Sequence, residues 1–305
     1  MREAGGGAVV ISGTGTASRI RREVKASVRE SLDATGRVPG LATVLVGEDP
    51  ASAAYVRMKN RDAAEVGFRS RQIDLAATTS EDELLGCIAG LNADPEIHGI
   101  LVQLPLPPQI EEAAVIAAVD PGKDVDGLHP VNVGRLAAGD PGVAAPCTPS
   151  GIIELLLRHG YDPSGRHAVV IGRSNLVGRP MAALLLRSGR GGNATVTVAH
   201  SRTGDLGRVT RLGEILIVAA GRPGLVTGEM VRPGAVVIDV GVNRVEDPGL
   251  ERGYRLVGDV DFEGVRRVAG AITPVPGGVG PMTRAMLLVN TLRAFRSDAR
   301  AEVAP

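Results

Sequence analysis

Aromatic residues make up 2% of this 305-residue chain, and tryptophan is absent. Base stacking needs aromatic platforms, so the composition speaks against a single-stranded nucleic-acid binder. Net charge is missing too, with Lys+Arg and Asp+Glu at 34 each. No whole-molecule field then draws the protein to nucleic acid or to an anionic membrane. Cysteine is scarce: Cys87 and Cys147 stand alone, without metal-ligand spacing, so no metal site is expected. Two free thiols in a reducing cytosol is the simpler reading. No segment has the apolar length of a membrane span, and the Gly-rich opening, Met1 to Gly15, lacks the apolar stretch of a signal peptide. The expectation is a cytoplasmic protein with a flexible tail over residues 1–15.

What is present is an aliphatic chain with 44% hydrophobic residues, long enough for two domains with separate cores. Strand and helix patterns alternate. Leu41 to Val46 reads as a buried strand. Asp49-Pro50 caps a helix running to Val66. Gln72 to Ala76 is a strand, and Ser80 with Glu83 has capping-box spacing for a helix to Leu91. Gly99 to Leu104 is a strand and Gln109 to Val119 a helix. Asp120 to Pro146 reads as irregular and marks a boundary. Beyond it, Thr148-Pro149 opens a helix to His159. Strands Ala168–Ile171, Thr195–Ala199, Ile215–Ala219 and Ala235–Val240 follow, with a helix at Gly178–Arg187. A last helix runs from Met282 to Phe295. This alternation implies parallel sheets, the second of dinucleotide-binding type.

Several segments carry chemistry. Ile272 to Thr283 holds three prolines and three glycines in twelve positions, ahead of a helical pattern. Such a loop is either a stiff surface turn or a rigid wall against a flat or anionic ligand. Tyr55 and Lys59 lie four apart on one helix face, which suits an acid–base pair and equally a solvated face. Gln103 ends a buried strand, where it can meet a ligand or satisfy backbone. Asp124 and Asp126 stand two apart in Lys123 to His129. A carboxylate there can accept both donors of an amino-pyrimidinone edge, or cap a turn. Gly172-Arg173-Ser174 to Gly178 is a strand–turn–helix start that departs from G-x-G-x-x-G at Ser174, yet still suits a phosphate. The next strand ends in His200-Ser201-Arg202 rather than Asp or Glu. With Arg173, that favours the 2′-phosphate of NADP over the free ribose of NAD, the alternative being a loop with ordinary surface arginines. Ala219 to Gly224 and Asp239 to Asn243 are strand ends rich in small residues, either open to a flat ring or simply tight turns.

Taken together these segments resemble the bifunctional methylenetetrahydrofolate dehydrogenase/methenyltetrahydrofolate cyclohydrolase family. The matching pieces are Tyr55 to Lys59, Gly99 to Pro107, Lys123 to Leu128, Pro146 to Gly151, Gly172 to Gly178, His200 to Thr203, Asp239 to Arg244, Gly258 to Asp261 and Pro274 to Thr283, in the family's order. The resemblance implies an α/β protein: an N-terminal catalytic domain and a C-terminal Rossmann-type NADP-binding domain with a cleft between them. The expected spans are residues 16–145 with 282–300 for the first and 146–281 for the second. It implies oxidation of 5,10-methylenetetrahydrofolate by NADP⁺, then hydrolysis to 10-formyltetrahydrofolate, in one-carbon metabolism and purine biosynthesis. It makes Lys59, Tyr55, Gln103 and Asp126 the catalytic positions, with Gln103 supporting Lys59 and Asp126 holding the pterin. Val102, Leu104, Pro276, Gly277 and Gly278 would line the folate pocket. Gly172, Arg173, Ser174, Ser201 and Val242 would contact NADP. The family also implies a homodimer. The rivals are another NADP oxidoreductase on this scaffold, such as a shikimate-type dehydrogenase, and a catalytically silent nucleotide sensor. The first would not need Gln103 together with the 274–283 loop, and the second would tolerate loss of Lys59 or Asp126, both of which are present.

Overall fold

A computed structural model describes residues 7–250 and 253–301, without the side chains of 299–301. Along the chain the elements are β1 (Val9–Val10), α1 (Gly13–Thr35), β2 (Gly40–Val46), α2 (Pro50–Val66), β3 (Arg69–Leu75), α3 (Glu81–Ala93), β4 (Gly99–Val102), α4 (Glu112–Ala118), α5 (Pro130–Ala137) and α6 (Cys147–Arg158). They continue with β5 (His167–Ile171), α7 (Gly178–Leu186), β6 (Thr195–Ala199), α8 (Leu206–Thr210), β7 (Ile215–Val218), β8 (Val236–Asp239), β9 (Asn243–Glu246), β10 (Tyr254–Val257), α9 (Phe262–Arg266), β11 (Ala271–Ile272) and α10 (Val279–Ala301). The chain forms two units. The first comprises Ser18–Cys147 and the chain from Arg284 onward; the second comprises the chain up to Ala17 and Thr148–Thr283.

The first unit is built on a three-stranded parallel sheet, ordered β3-β2-β4. Central β2 is buried along its whole length, as an unbroken apolar run in a covered parallel sheet should be. Helix α2 starts where the sequence places it. The Asp49 carboxylate accepts from the Ser52 N–H at 2.7 Å, Pro50 takes the first turn, and Gly67 closes the helix at φ 90°. The capping box of Ser80 and Glu83 is formed at the head of α3. Val44, Leu84, Ile88, Ile100 and Val115 pack together between sheet and helices.

The second unit has six parallel strands ordered β1-β11-β8-β7-β5-β6. From β5 the chain steps out to β6 and returns to β7 on the other side. That reversal leaves a crevice beyond the carboxyl ends of β5 and β7, where open α/β sheets bind ligands. An antiparallel pair, β9 with β10, stands apart from the sheet.

Three expectations need correction. The opening segment is not a free tail over its described part: Val9–Val10 adds a strand to the sheet, and Ile11, fully buried, donates its N–H to the Ile272 carbonyl at 2.8 Å. Residues 1–6 lie outside the described residues. Helix α1 was not expected at all, although Ala17, Ile20, Val24 and Val28 recur at helical spacing and are buried. The stretch expected to be irregular holds α5, with Pro130 in its first turn and the His129 ring Nδ1 accepting from the Val131 N–H at 3.1 Å. The observed units also begin and end about two residues later than the spans read from sequence.

The carboxyl end of β8 carries a buried carboxylate. Asp239 accepts N–H groups from Gly241 (3.0 Å), Asp259 (2.9 Å) and Val260 (3.1 Å). Burial raises its pKa from 3.8 to about 6, against the opposing pull of those hydrogen bonds. The folded state therefore holds this proton more tightly than the unfolded chain. Its contribution is present below pH 4 and is lost as pH rises to about 6, amounting to about 3 kcal/mol at most. In urea titrations between pH 4 and 6, Asp239→Asn should flatten the fall in stability with rising pH. An unchanged slope would refute the assignment.

Candidate active site and cofactor site

Helix α2 presents Tyr55, Lys59 and Asp62 at i, i+4 and i+7, one face of the helix. Tyr55 is exposed and Lys59 half-buried, while Asp62 is 2% exposed. Lys59 Nζ donates to Gln103 Oε1 at 3.0 Å. Gln103 is held in turn. Its backbone N–H donates to the Val44 carbonyl at 2.9 Å, extending the ladder past β4, and its Nε2 donates to the Leu104 carbonyl at 2.6 Å. That second bond turns the amide so that its oxygen faces the lysine. Val102 and Leu104 flank it, both half-buried.

The two aspartates separate into different roles. Asp124 is buried and accepts from the N–H groups of Gly127 (2.9 Å) and His129 (2.8 Å) and from Asn132 Nδ2 (2.9 Å). It shapes the turn, as an Asx cap does. Asp126, two residues on, is half-buried. Burial raises its pKa, and the positive charge of Lys59 pulls it back down. Cys147 donates its Sγ–H to the Val125 carbonyl at 3.3 Å. Burial pushes this thiol well above its usual range, so it is an inert structural group. Both cysteines are free.

Two supports were not read from the sequence. Asn290 of α10 donates to the carbonyls of Val125 (2.9 Å) and Ala145 (3.1 Å), fastening the segment that carries Asp126. Arg284 Nε lies 3.2 Å from Asp62 Oδ2, a largely buried ion pair that fixes α2 one turn beyond Lys59. The only sequence sign was a charged residue at an inward position of α2.

The other expected folate-pocket residues, Pro276, Gly277 and Gly278, belong to the second unit. There Gly277 adopts φ 104° and its carbonyl accepts the Thr14 N–H at 3.0 Å. A Cβ on Gly278 would meet the Pro274 carbonyl oxygen at 2.5 Å. Glycine is required for this loop to close.

In the same unit the expected cofactor residues follow the carboxyl ends of β5, β6 and β8. Gly172 leaves β5 at φ 125°, and any Cβ there would overlap the Ala219 carbonyl. A Cβ on Gly178 would overlap the Gly172 carbonyl, so the strand–helix turn closes only with glycine at both places. Ser174 Oγ accepts from the Val177 N–H at 3.1 Å. Val177 offers no capping side chain to α7, which leaves the helix start suited to an anion. Arg173, Ser174 and Ser201 are exposed, and Val242 is 54% exposed. Ser201 sits in a turn closed by His200 N–H to Thr203 Oγ1 at 2.9 Å. The residues thus fit a dinucleotide with an extra phosphate.

Residues 11–126 match the model of the tetrahydrofolate dehydrogenase/cyclohydrolase catalytic domain, and residues 146–299 match that of the family's NAD(P)-binding domain. The bifunctional protein FolD of Salinibacter ruber is 56% identical over 290 residues, 95% of this chain and 96% of its own. That of Chlorobium phaeovibrioides is 54% identical over 288 residues, 94% of this chain and 98% of its own. Among solved structures, the Trypanosoma brucei methylenetetrahydrofolate dehydrogenase-cyclohydrolase, complexed with NADP and an inhibitor, is similar with a TM-score of 0.90 and 44% identity, covering 96% of this chain and 99% of that one. The Campylobacter jejuni bifunctional enzyme gives a TM-score of 0.89 at 45% identity, over 95% and 99%. This chain belongs to the tetrahydrofolate dehydrogenase/cyclohydrolase family.

Proposed function

We propose that the chain oxidises 5,10-methylenetetrahydrofolate with NADP⁺ and hydrolyses the resulting methenyl cation to 10-formyltetrahydrofolate, with Lys59 moving the protons of the second step. One observation carries this reading: the Lys59–Gln103 hydrogen bond in the field of the Asp126 carboxyl. Bound NADP⁺ supplies the hydride acceptor. Gly172 to Ser174 would hold its pyrophosphate, Arg173 and Ser201 the 2′-phosphate, and Val242 the nicotinamide side.

Hydrolysis consumes one water. Its oxygen bonds to the bridging carbon, and the bond from that carbon to N5 breaks. The two water protons leave, one to N5 and one to solvent, and the carbon remains on N10 as formyl. An amine held at a fixed angle can relay the first of these protons. Gln103 supplies the angle. Asp126 would accept the donors of the pterin's amino-pyrimidinone edge, and Tyr55, on the same helix face as Lys59, would orient the ring.

Two features support a homodimer. Strand β6 is an edge of the six-stranded sheet and exposes Val198 (41%), and Leu186 at the end of α7 is 61% exposed. The free thiols suit a reducing cytoplasm. Formyl groups on N10 serve acyl-transfer steps such as those of purine biosynthesis.

Adding methylenetetrahydrofolate and NADP⁺ to the protein should form NADPH and then the formyl product; no NADPH would overturn the reading. Lys59→Ala should slow the loss of methenyl near-ultraviolet absorbance by about 10²-fold or more while calorimetric NADP⁺ affinity is unchanged. Retained hydrolysis would remove Lys59 from the mechanism. Arg173→Ala should weaken NADP⁺ by about tenfold relative to NAD⁺; equal losses would refute the 2′-phosphate assignment.

A further inference from the structure

Asp259, fully buried, gathers more donors than any strand-end cap requires. Its Oδ2 accepts the N–H groups of Ala220 at 2.7 Å and Gly221 at 2.8 Å. Its Oδ1 accepts the N–H of Arg222 at 2.9 Å and the Nδ2–H of Asn243 at 2.8 Å. The backbone of Asp259 is pinned as well, because its N–H donates to Asp239 Oδ1 at 2.9 Å, and the same oxygen takes the Gly241 N–H at 3.0 Å. Gly241 and Gly258 stand where any Cβ would strike one of these two carboxylates. The loop after β7 and the loop after β8 are thus tied to one buried centre. Val242 projects from the second loop, and both its neighbours are tethered: Gly241 to Asp239, Asn243 to Asp259.

In a doubly wound sheet a dinucleotide spans the switch point. The adenosine half lies toward the end of β6, where Ser201 is; the other half lies over the ends of β7 and β8. We propose that Asp259 is a positioning residue for the nicotinamide half of NADP⁺, fixing the 220–222 backbone and Val242 as one rigid wall against that ring. The inference rests on the cofactor placement given above and deepens it: the wall is set by a carboxylate that need not touch the cofactor.

Asp259→Asn removes two of the four acceptor positions and turns an amide NH₂ toward N–H donors. Calorimetry on the full chain should then show NADP⁺ affinity lowered by about tenfold, the usual cost of unmatched buried donors. Affinity for 2′,5′-ADP, which lacks the nicotinamide half, should change by less than about twofold, within the range of surface substitutions. The NADP⁺ KM should rise more than kcat falls, and methenyl hydrolysis, which uses no cofactor, should persist. Asn243→Ala, a milder change that removes one donor, should show the same split at smaller size. Equal weakening of NADP⁺ and 2′,5′-ADP in both variants, or no change in NADP⁺ affinity in either, would overturn the proposal. Val242→Trp separates the premise from the inference. If it leaves NADP⁺ affinity unchanged, the cofactor placement is wrong. If it blocks NADP⁺ while Asp259→Asn and Asn243→Ala do not, the role of Asp259 is wrong.

Discussion

The hydrogen bond from Lys59 to Gln103 sets the terms for the rest of the first unit. It joins a flexible four-carbon amine to an amide held by the Leu104 carbonyl, on a backbone held by the Val44 carbonyl. A lysine on a helix face usually samples many rotamers, and a proton relay needs one. Gln103 can impose it because its backbone N–H continues the pairing with central β2 one residue past the end of β4. The helix beneath the lysine is fixed independently, by the Asp49 cap at its start and by Asp62 against Arg284 one turn past Lys59. A buried charge pair contributes little net stability, yet breaking it leaves a bare charge inside, so it is a strong determinant of orientation.

The second unit solves a different problem with the same economy. A cofactor crevice needs backbone close to the ligand, so its loops are short and rich in glycine. Such loops are entropically loose unless something ties them down. At the first turn the tie is close packing of Gly172, Gly178 and Ala219. At the next two it is a pair of buried carboxylates, Asp239 and Asp259, whose partners are almost all backbone N–H groups. Chemistry-bearing side chains stay exposed while the carboxylates hold their backbone from below.

Local signals were the legible ones. Asp49-Pro50, the Ser80–Glu83 box and the buried strands announce themselves within a few residues, and the structure forms each of them. The Lys59–Gln103 pairing was also legible, through ordered motifs spread over the chain. What stayed hidden depends on contacts distant in sequence. Nothing local distinguishes Asp124 from Asp126; only the fold hands the turn N–H groups to one and a desolvated place beside Lys59 to the other. Val9–Val10 is too short to read as a strand without β11 beside it. The pairing of Asp62 with Arg284 spans most of the sequence, and Asp62 alone looks like one more polar residue on a charged helix. Helix α1 differs, because its apolar periodicity at Ala17, Ile20, Val24 and Val28 is local but follows directly on a Gly-rich opening.

A double-mutant cycle on methenyl hydrolysis tests the central pairing most directly. If Gln103 acts only by aiming Lys59, then Gln103→Ala should slow hydrolysis in the parent protein and have almost no further effect in a Lys59→Ala background. If instead the two losses multiply, Gln103 contributes separately, and the hydrogen bond between them is not the element on which the hydrolytic step depends.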